Sequence, residues 1–340
     1  MIFLTAVESV LSIVLIIALG FYLRNKAWFA DSFAGNISKL IMNIALPASI
    51  FVSVLTYLDR DKLASLSGGL VYGAASLVLG YLAAWLMVKL LKVRRGRRGV
   101  FINTIVNANT IFIGLPLNIA LFGEASMPYF LVYYVLNTVS TWAFGAFLIA
   151  NDSSEDSSEN SSEPKDKTQD KTNNQAQTKP KKFDWKKLLP APLLGFLVAL
   201  VFLLLAIPVP AFIHSSLNYI GSIVTPLSLL YIGITLADAG LKSIRFDKDT
   251  IAALMGKFIL APVIMAGLVL AGHLFMPSLT LPSMEAKTLI LQSSVSALAV
   301  LPILANEARG DVQFATNVVT TSTLLFMIVV PIVDTLLQMF

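Results

Sequence analysis

Long apolar stretches separated by short polar turns extend along almost the whole of the 340-residue chain. A helix needs about 20 mostly apolar residues to cross the hydrocarbon core of a bilayer. Ten segments are long and apolar enough: residues 3–23, 35–55, 67–90, 99–122, 128–150, 188–208, 213–236, 250–273, 286–306 and 312–337. The pattern therefore predicts an all-α membrane protein with ten transmembrane helices.

One long polar segment interrupts this pattern between the fifth and the sixth span. Residues 151–187 begin with NDSSEDSSENSSE and then become rich in lysine and glutamine. Because so few apolar residues cannot bury a core, we predict a disordered linker. It separates a first five-span repeat at residues 1–150 from a second at residues 188–340. Its acidic and basic blocks suit either a solvated tether or a segment that binds a partner.

Two spans in matching halves are interrupted by polar residues and then by a proline. The fourth span contains NTIVNANTIFIGLP at residues 103–116, and the ninth contains QSSVSALAVLP at residues 292–302. Proline removes a backbone donor and breaks a helix. A broken helix at membrane depth persists only where protein or a watery cavity satisfies the freed groups. We therefore predict crossover helix breaks at Gly114, Pro116 and Pro302, with a transporter's binding site between them.

The two halves are predicted to be inverted repeats. Five is an odd number of spans, so the second half must enter the membrane in the orientation opposite to the first. An ungapped alignment of the residues after the broken spans pairs Glu124 with Glu307 and Thr138 with Thr321. Together with the paired breaks, these matches support two inverted five-helix repeats.

Basic residues predict the orientation in the membrane. The formal net charge is +5, and lysines and arginines concentrate at residues 24–26, 92–98 and 242–248 and at the end of the linker. These loops fall on one side of a ten-span arrangement, and the positive-inside rule makes that side cytoplasmic. We expect a multi-pass plasma-membrane protein with both termini outside and the linker in the cytoplasm. The same distribution does not indicate nucleic-acid binding.

The composition excludes several kinds of site. The chain has no cysteine, which excludes disulfides, thiol nucleophiles and thiolate metal ligands. His214 and His273 lie near different span ends, so we expect no metal site. The sequence contains no nucleophile elbow, phosphate-binding glycine loop or HExxH motif, and scattered serines do not make a catalytic triad. We therefore predict a protein that is not an enzyme and that needs no cofactor.

Polar side chains around the predicted breaks are the candidates for a substrate site. Because polar groups are costly inside a membrane, a cluster of them points to a function. The candidate substrate-binding residues are Asn107, Asn109 and Thr110 in the fourth span, Ser294 and Ser296 in the ninth, and Ser49 in the second. If both broken spans unwind and cross, half-helix N-termini supply positive partial charge to an anion. The alternative is that these asparagines and serines join helices by hydrogen bonds.

Charged residues inside the spans are few. Lys257 either snorkels to the interface or faces a carboxylate substrate. Glu307, which follows the ninth span, either titrates during transport or remains a solvated cap. These two residues are the candidates for coupling to a proton or a sodium ion. No pair of carboxylates falls in the middle of a span, where a cation carrier needs them, so we expect an organic anion as cargo.

Two motifs resemble the auxin efflux carrier family, which includes bacterial malate-permease-like proteins. They are NANTIFIGLPLNIALFGE at residues 107–124 and VLPILANEARGD at residues 300–311. The resemblance covers the chain except for the linker. It implies that spans 4 and 9 cross, as in the bile-acid symporter and sodium–proton antiporter folds. It also implies a transport part that slides against a scaffold as an elevator, and a homodimer is one assembly to test.

The crossover residues of that family correspond to Asn109, Thr110, Pro116 and Pro302 of this chain. Two features differ from the plant members. The third span here has no acidic residue, and residues 190–192 read Pro-Ala-Pro where plant members carry asparagines. The resemblance therefore implies a small carboxylate such as malate rather than auxin.

These features together predict a secondary transporter that carries small organic anions by alternating access within the lipid bilayer. The first alternative is a sodium-coupled organic-anion symporter, which a requirement for sodium distinguishes. The second is a membrane sensor or scaffold that signals through the linker and transports nothing.

Overall fold

The protein is helical throughout the part that the structure, a computed structural model, describes. That part comprises residues 2–59, 66–152, 191–240, 244–276 and 280–338, with side chains described from residue 11 onward. No strand occurs within these ranges, so the all-α prediction is confirmed for them. Of the predicted linker, residues 153–187 lie outside the described residues.

The helices follow one another along the chain with short connections. They are α1 (Ile2–Asn25), α2 (Phe33–Tyr57), α3 (Ser67–Leu91), α4 (Arg98–Val106), α5 (residues 110–122), α6 (Glu124–Ala150), α7 (Ala191–Leu205), α8 (Ala211–Ser222), α9 (Val224–Ala239), α10 (Lys248–Phe275), α11 (Ser283–Ser294), α12 (Leu301–Glu307) and α13 (Val312–Gln338).

Seven described helical stretches are long and apolar enough to cross a membrane, namely α2, α3, α4 with α5, α6, α8 with α9, α10 and α13. Shorter apolar helices lie at Leu11–Asn25 and Ala191–Leu205. The predicted span at residues 286–306 is divided between α11 and α12, which have 12 and 7 residues. These helices make a multi-pass membrane protein, whereas the full set of ten spans stays a prediction.

Several prolines inside the long helices widen a turn instead of ending the helix. A π-helical turn stands just before each of three of them, at Ile41–Ala45 before Pro47, Thr110–Gly114 before Pro116 and Gly256–Leu260 before Pro262. Proline lacks an N–H donor, and its ring clashes with the carbonyl group one turn earlier. The wider turn relieves that clash, so the helix continues through the proline.

The helices pack mainly as two groups. The framework group contains α1, α2, α7, α8 and α9, and the crossing group contains α3 to α6 and α10 to α13. Within the framework group, α1 lies so close to α9 that a Cβ on Gly20 would be 2.5 Å from the Leu230 carbonyl oxygen. Small residues allow helix backbones to approach in this way. Arg24 at the end of α1 also pairs with Asp238 at the end of α9, at 2.5 Å.

Apolar side chains form the boundary between the two groups. Phe112 of α5 lies against Tyr231 of α9, with ring centroids 4.4 Å apart. A cavity of about 30 Å³ beside them is bounded by α1, α5, α9 and α13, and Thr323 is the one polar residue among the described residues that line it. Where α5 meets α9, the described contact between the two groups is therefore largely apolar.

Candidate functional site

The first broken helix stops after Val106 and resumes at Thr110. Between them, Asn107 has an extended backbone, with φ −97° and ψ 153°. The Asn137 side chain on α6 forms hydrogen bonds with the backbone groups of Ala108, which the break leaves without helical partners. It accepts a hydrogen bond from the Ala108 N–H at 2.9 Å and donates one to the Ala108 carbonyl oxygen at 3.0 Å. Protein groups therefore replace water at this break, as an unwound segment at membrane depth requires.

The second broken helix stops after Ser294 and resumes at Leu301. Val295 is extended, with φ −63° and ψ 147°. The N–H of Ala297 donates to the Ser322 hydroxyl on α13 at 3.1 Å. As at the first break, a side chain from a neighbouring helix takes the place of a lost helical hydrogen bond.

The two breaks meet each other directly. The Asn109 N–H donates to the Ser296 carbonyl oxygen at 2.9 Å, which joins the two unwound segments. Gln292 of α11 reaches across and donates from Nε2 to the Gly114 carbonyl oxygen at 3.0 Å. A Cβ on Gly114 would overlap the Gln292 Oε1 atom, so glycine is needed here for close approach. We call this meeting point of residues 107–110 and 295–300 the crossing.

Pro116 and Pro302 lie beside the crossing rather than at the points where the helices stop. Pro302 is at the first or second position of α12, where no intrahelical N–H donor is needed, whereas Pro116 lies inside α5, just after a π-helical turn. Gly114 ends the π-helical turn that precedes Pro116. The helices stop earlier, at residues where neighbouring side chains replace the lost backbone hydrogen bonds.

A buried lysine stands at the end of α4. The side chain of Lys257 on α10 is 0% exposed, so it does not snorkel to the interface, which corrects one of the two interpretations of this residue. Its Nζ donates to the carbonyl oxygens of Asn107 at 3.0 Å and Ile105 at 3.5 Å. A cation in this position compensates the partial negative charge of a helix C-terminus.

Asn107 is held in a network of hydrogen bonds. Its Nδ2 donates to Asn103 Oδ1 at 2.8 Å and to the Tyr81 hydroxyl at 3.2 Å, and its Oδ1 accepts from the Ser140 hydroxyl at 2.6 Å. Asn103 in turn donates to the carbonyl oxygens of two glycines in α4 and α6. Because both donors of its amide and its oxygen are engaged, the Asn107 side chain packs helices together in this conformation.

Asn109 and Thr110 differ from Asn107 in this respect. Their side chains are 7% and 4% exposed. None of the hydrogen bonds found in the described part of the chain engages the Asn109 amide or the Thr110 hydroxyl. Both residues stand at the N-terminal end of α5, where helix N–H groups lack intrahelical partners. On the first broken helix, these two side chains are the polar groups at the crossing that are left without hydrogen bonds to other described residues.

The predicted serines have three different environments. Ser294 donates to the Leu291 carbonyl oxygen of its own helix at 2.7 Å. The Ser296 hydroxyl is buried at the crossing and has no hydrogen-bond partner among the described residues. Ser49 lies in α2 of the framework group, where it packs against Gly221 of α8. The structure thus places Ser296 with Asn109 and puts Ser49 at a different helix contact.

Glu307 is the last residue of α12 and is exposed. An ionic cluster around Arg97 lies at the end of the protein that is predicted to be cytoplasmic. One member of this cluster, Asp311, follows Glu307 closely in sequence. Arg97 pairs there with Asp247 and Asp311, each at 2.6 Å, and with Asp249 at 3.2 Å. Burial alone would raise the pKa of Asp247, but hydrogen bonds from Thr250 and Arg97 outweigh it and lower that pKa. The cluster ties the start of α4 to the starts of α10 and α13.

Sequence reasoning missed two residues that the structure brings forward. Asn137 is the residue that secures the first break. In the sequence it is marked only by its position directly before Thr138, which the repeat alignment pairs with Thr321. Glu285, in the first turn of α11, is fully buried, yet it stood one residue outside the predicted ninth span. No group of three or more metal-ligating side chains occurs among the residues searched, which are those that the structure describes.

Comparison with known proteins gives one family and two relatives. Residues 5–333 match the family described as membrane transport protein. A protein of Methanothermobacter thermautotrophicus that bears the name uncharacterized transporter is 22% identical over 335 residues, 98% of each chain. Another of that name, from Methanocaldococcus jannaschii, is 21% identical over 326 residues, 95% of this chain and 96% of that protein. Both similarities extend over nearly all of the chain.

Proposed function

The chain belongs to the membrane transport protein family, and we propose that it is a secondary transporter that carries small organic anions such as malate across the plasma membrane. The family supports transport, and the crossing supports the class of cargo. The proposed mechanism is alternating access of the elevator type, in which the crossing group moves against the framework group. The proposed fold is ten spans in two inverted repeats of five.

The observation that carries the proposal is the available polar surface at the N-terminal end of α5. Asn109 and Thr110 are 7% and 4% exposed there, and neither the Asn109 amide nor the Thr110 hydroxyl forms a hydrogen bond among the described residues. An amide N–H, a hydroxyl and free helix N–H groups can all donate hydrogen bonds to a carboxylate. The unpartnered hydroxyl of Ser296 adds a donor from the second broken helix. These groups form the proposed substrate site.

Lys257 gives the crossing a positive charge and bears on the coupling ion. Its ammonium group binds the Asn107 and Ile105 carbonyl oxygens, and carbonyl oxygens at a broken helix end are the ligands that a transporter offers to sodium. With a protein cation already on these oxygens, we propose transport that does not require sodium. A protonated Lys257 also favours an anion nearby, because opposite charges attract.

The packing supports an elevator movement. The crossing lies wholly within one group of helices, so a bound anion would move with that group. The boundary with the framework group is apolar where α5 meets α9. The ionic cluster of Arg97 joins elements of the crossing group alone, so it does not tie the two groups together. These features suit a rigid transport part that slides past a fixed scaffold.

The decisive variant is Asn109→Ala. We expect this change to abolish uptake of radiolabelled malate by proteoliposomes while the purified protein keeps the melting temperature of the wild type. Asn43→Ala is a matched control, because Asn43 is an exposed asparagine in α2 whose amide bonds only to the Lys39 carbonyl oxygen. Malate uptake by Asn109→Ala at the rate of the control would refute the proposed site.

A further inference from the structure

A buried carboxyl group lies near the start of α11, at the end of the protein that is predicted to face outside. Glu285 is 0% exposed. Neither of its carboxyl oxygens forms a hydrogen bond among the described residues. The backbone amide of Gly69 approaches the carboxyl group without reaching hydrogen-bond geometry. Such a group is unusual, because buried polar groups in proteins are almost always hydrogen-bonded.

The carboxyl group occupies a notch between three helices. A Cβ on Gly69 of α3 would overlap the Glu285 Oε1 atom and lie 3.4 Å from a methyl group of Val132 on α6. The absence of a side chain at Gly69 thus makes room for the carboxyl group. Because an ionised carboxylate in apolar surroundings is far more costly than the neutral acid, this notch favours a carboxyl group that holds a proton.

The charged and titratable groups around the notch do not neutralise it. Tyr129 of α6 is the titratable side chain that interacts with Glu285 from that helix. Tyr72 of α3 directs its hydroxyl towards α10. Lys287 lies two positions further along α11, so it points about 200° around the helix from Glu285, and it interacts with Asp334 of α13.

Two more titratable residues stand on elements near this end of the notch. His273, near the end of α10, is exposed. Glu124, the first residue of α6, is exposed and faces the Tyr57 hydroxyl at 3.4 Å. No basic side chain in the described part of the chain forms an ion pair with Glu285. A proton is therefore the simplest neutralising partner.

A line of oxygen atoms connects this notch with the crossing. Glu285, Thr288 and Gln292 are spaced by three and four residues, so they share one face of α11. The Thr288 hydroxyl and the Gln292 Oε1 atom are buried without hydrogen bonds among the described residues, as is Asn118 Oδ1 on α5. Gln292 contacts Gly114 at the crossing, about 10 Å along the helix axis from Glu285. Unsatisfied buried oxygens of this kind are where bridging water molecules bind.

A cavity gives the notch access from outside. Its volume is about 170 Å³, and Met284 and Tyr129, the neighbours of Glu285 on α11 and α6, are part of its lining. The remaining lining comes from the end of α2, the start of α3 and the start of α6, which all lie at the outer end in the predicted orientation. Water that fills this cavity would stand one side chain away from the carboxyl group.

We propose that Glu285 is the proton-binding residue through which anion transport is coupled to protons. A proton from water in the cavity forms an O–H bond with the carboxylate. That bond breaks when the proton passes along the Thr288 and Gln292 oxygens and intervening water to the crossing, from which it leaves to water on the inner side together with the anion once the crossing group has moved. One proton then enters with each organic anion, and the carboxylate is regenerated without any other reactant. The coupling rests on the proposed function, whereas proton binding by Glu285 does not.

Infrared difference spectroscopy of the purified wild-type protein tests proton binding without any substrate. Lowering the pH should produce the C=O band of a buried, protonated carboxyl group. Glu285→Gln should remove that band, and Glu124→Gln, a control at the same end of the protein, should retain it. A wild-type spectrum without such a band, or the same band in Glu285→Gln, would overturn the proposal.

Proteoliposomes that contain a pH-sensitive dye test the coupling. Malate uptake by the wild type and by Glu124→Gln should acidify the lumen. Glu285→Gln should still exchange labelled malate for unlabelled malate but should lose the acidification. If that variant does not fold, Gly69→Ala replaces it, because the added Cβ must displace the carboxyl group and shift the pH at which the infrared band forms.

The two experiments separate the two ideas. An infrared band that depends on Glu285, in a protein that does not transport malate, would reject the anion transporter and keep the proton site. Malate transport without luminal acidification in the wild type would reject the coupling and keep the transporter.

Discussion

Asn137 is expected to hold the first helix break together, and its replacement by alanine tests that role. The substitution removes the acceptor of the Ala108 N–H and one donor to the Ala108 carbonyl oxygen. The carbonyl oxygen keeps a hydrogen bond from the Thr110 N–H at 2.9 Å, so only the N–H is left wholly unsatisfied. An orphaned buried donor costs about 1–3 kcal/mol, and one lost hydrogen bond adds about 1 kcal/mol. We expect Asn137→Ala to lower the free energy of unfolding by about 2–4 kcal/mol.

Asn109→Ala is the matched comparison for this experiment. It removes the same three side-chain heavy atoms close to the same backbone segment, yet the Asn109 amide forms no hydrogen bond among the described residues. Because Asn109→Ala leaves no backbone group without its hydrogen bond, it should cost clearly less stability than Asn137→Ala. Thermal unfolding of both purified variants in detergent, followed by tryptophan fluorescence, measures the difference directly.

The two variants should also separate in function. Asn137→Ala should unfold at a clearly lower temperature than the wild type, and Asn109→Ala should unfold with the wild type but not transport malate. Equal melting temperatures for the two variants would refute the claim that Asn137 replaces helical hydrogen bonds at the break.

Three further predictions concern packing, charge and pH. Gly114→Ala should destabilise the protein by about 1–3 kcal/mol because its Cβ collides with the glutamine amide that it faces, whereas Gly35→Ala, where a Cβ meets nothing within 4 Å, should not; equal melting temperatures would contradict this. Lys257→Met should raise the KM for malate about tenfold, which corresponds to 1.4 kcal/mol, and sodium should not stimulate uptake by the wild type; sodium-dependent uptake by the wild type would speak against the role of the lysine. The pKa of Asp247 is lowered in the folded protein, so its pairing with Arg97 stabilises the fold above the unfolded pKa of about 4 and is lost on acidification through the folded value; the melting temperature of Asp247→Asn should therefore depend less on pH in the acid range, and an unchanged dependence would refute the assignment.

The sequence predicted the helical architecture and the place of the crossing because both depend on local chemistry. Long apolar runs must be helical in a membrane, and asparagine and proline within them mark a break. The position of the break was less predictable. Proline removes one hydrogen bond, which a π-helical turn absorbs before Pro116. The helix stops instead where Asn137, distant in sequence, offers the replacement bonds.

The environments of individual polar residues depended on tertiary contacts that no single sequence reveals. Lys257 is near enough to a span end to snorkel, but the end of α4 lies beside it and supplies two carbonyl oxygens. Ser49 is a polar residue close to a proline in its span, as the crossing residues are, yet α2 packs in the framework group. Glu285 lies one residue outside the predicted ninth span, and no pattern in the sequence indicates that Gly69, distant along the chain, makes a buried notch for it.

Isothermal titration of malate into the purified protein in nanodiscs tests the proposed anion site most directly. The wild type and Asn43→Ala should bind malate, and Asn109→Ala, although folded, should show no measurable heat of binding. Malate binding by Asn109→Ala with the affinity of the wild type would contradict the assignment of the crossing as the place where the anion is held.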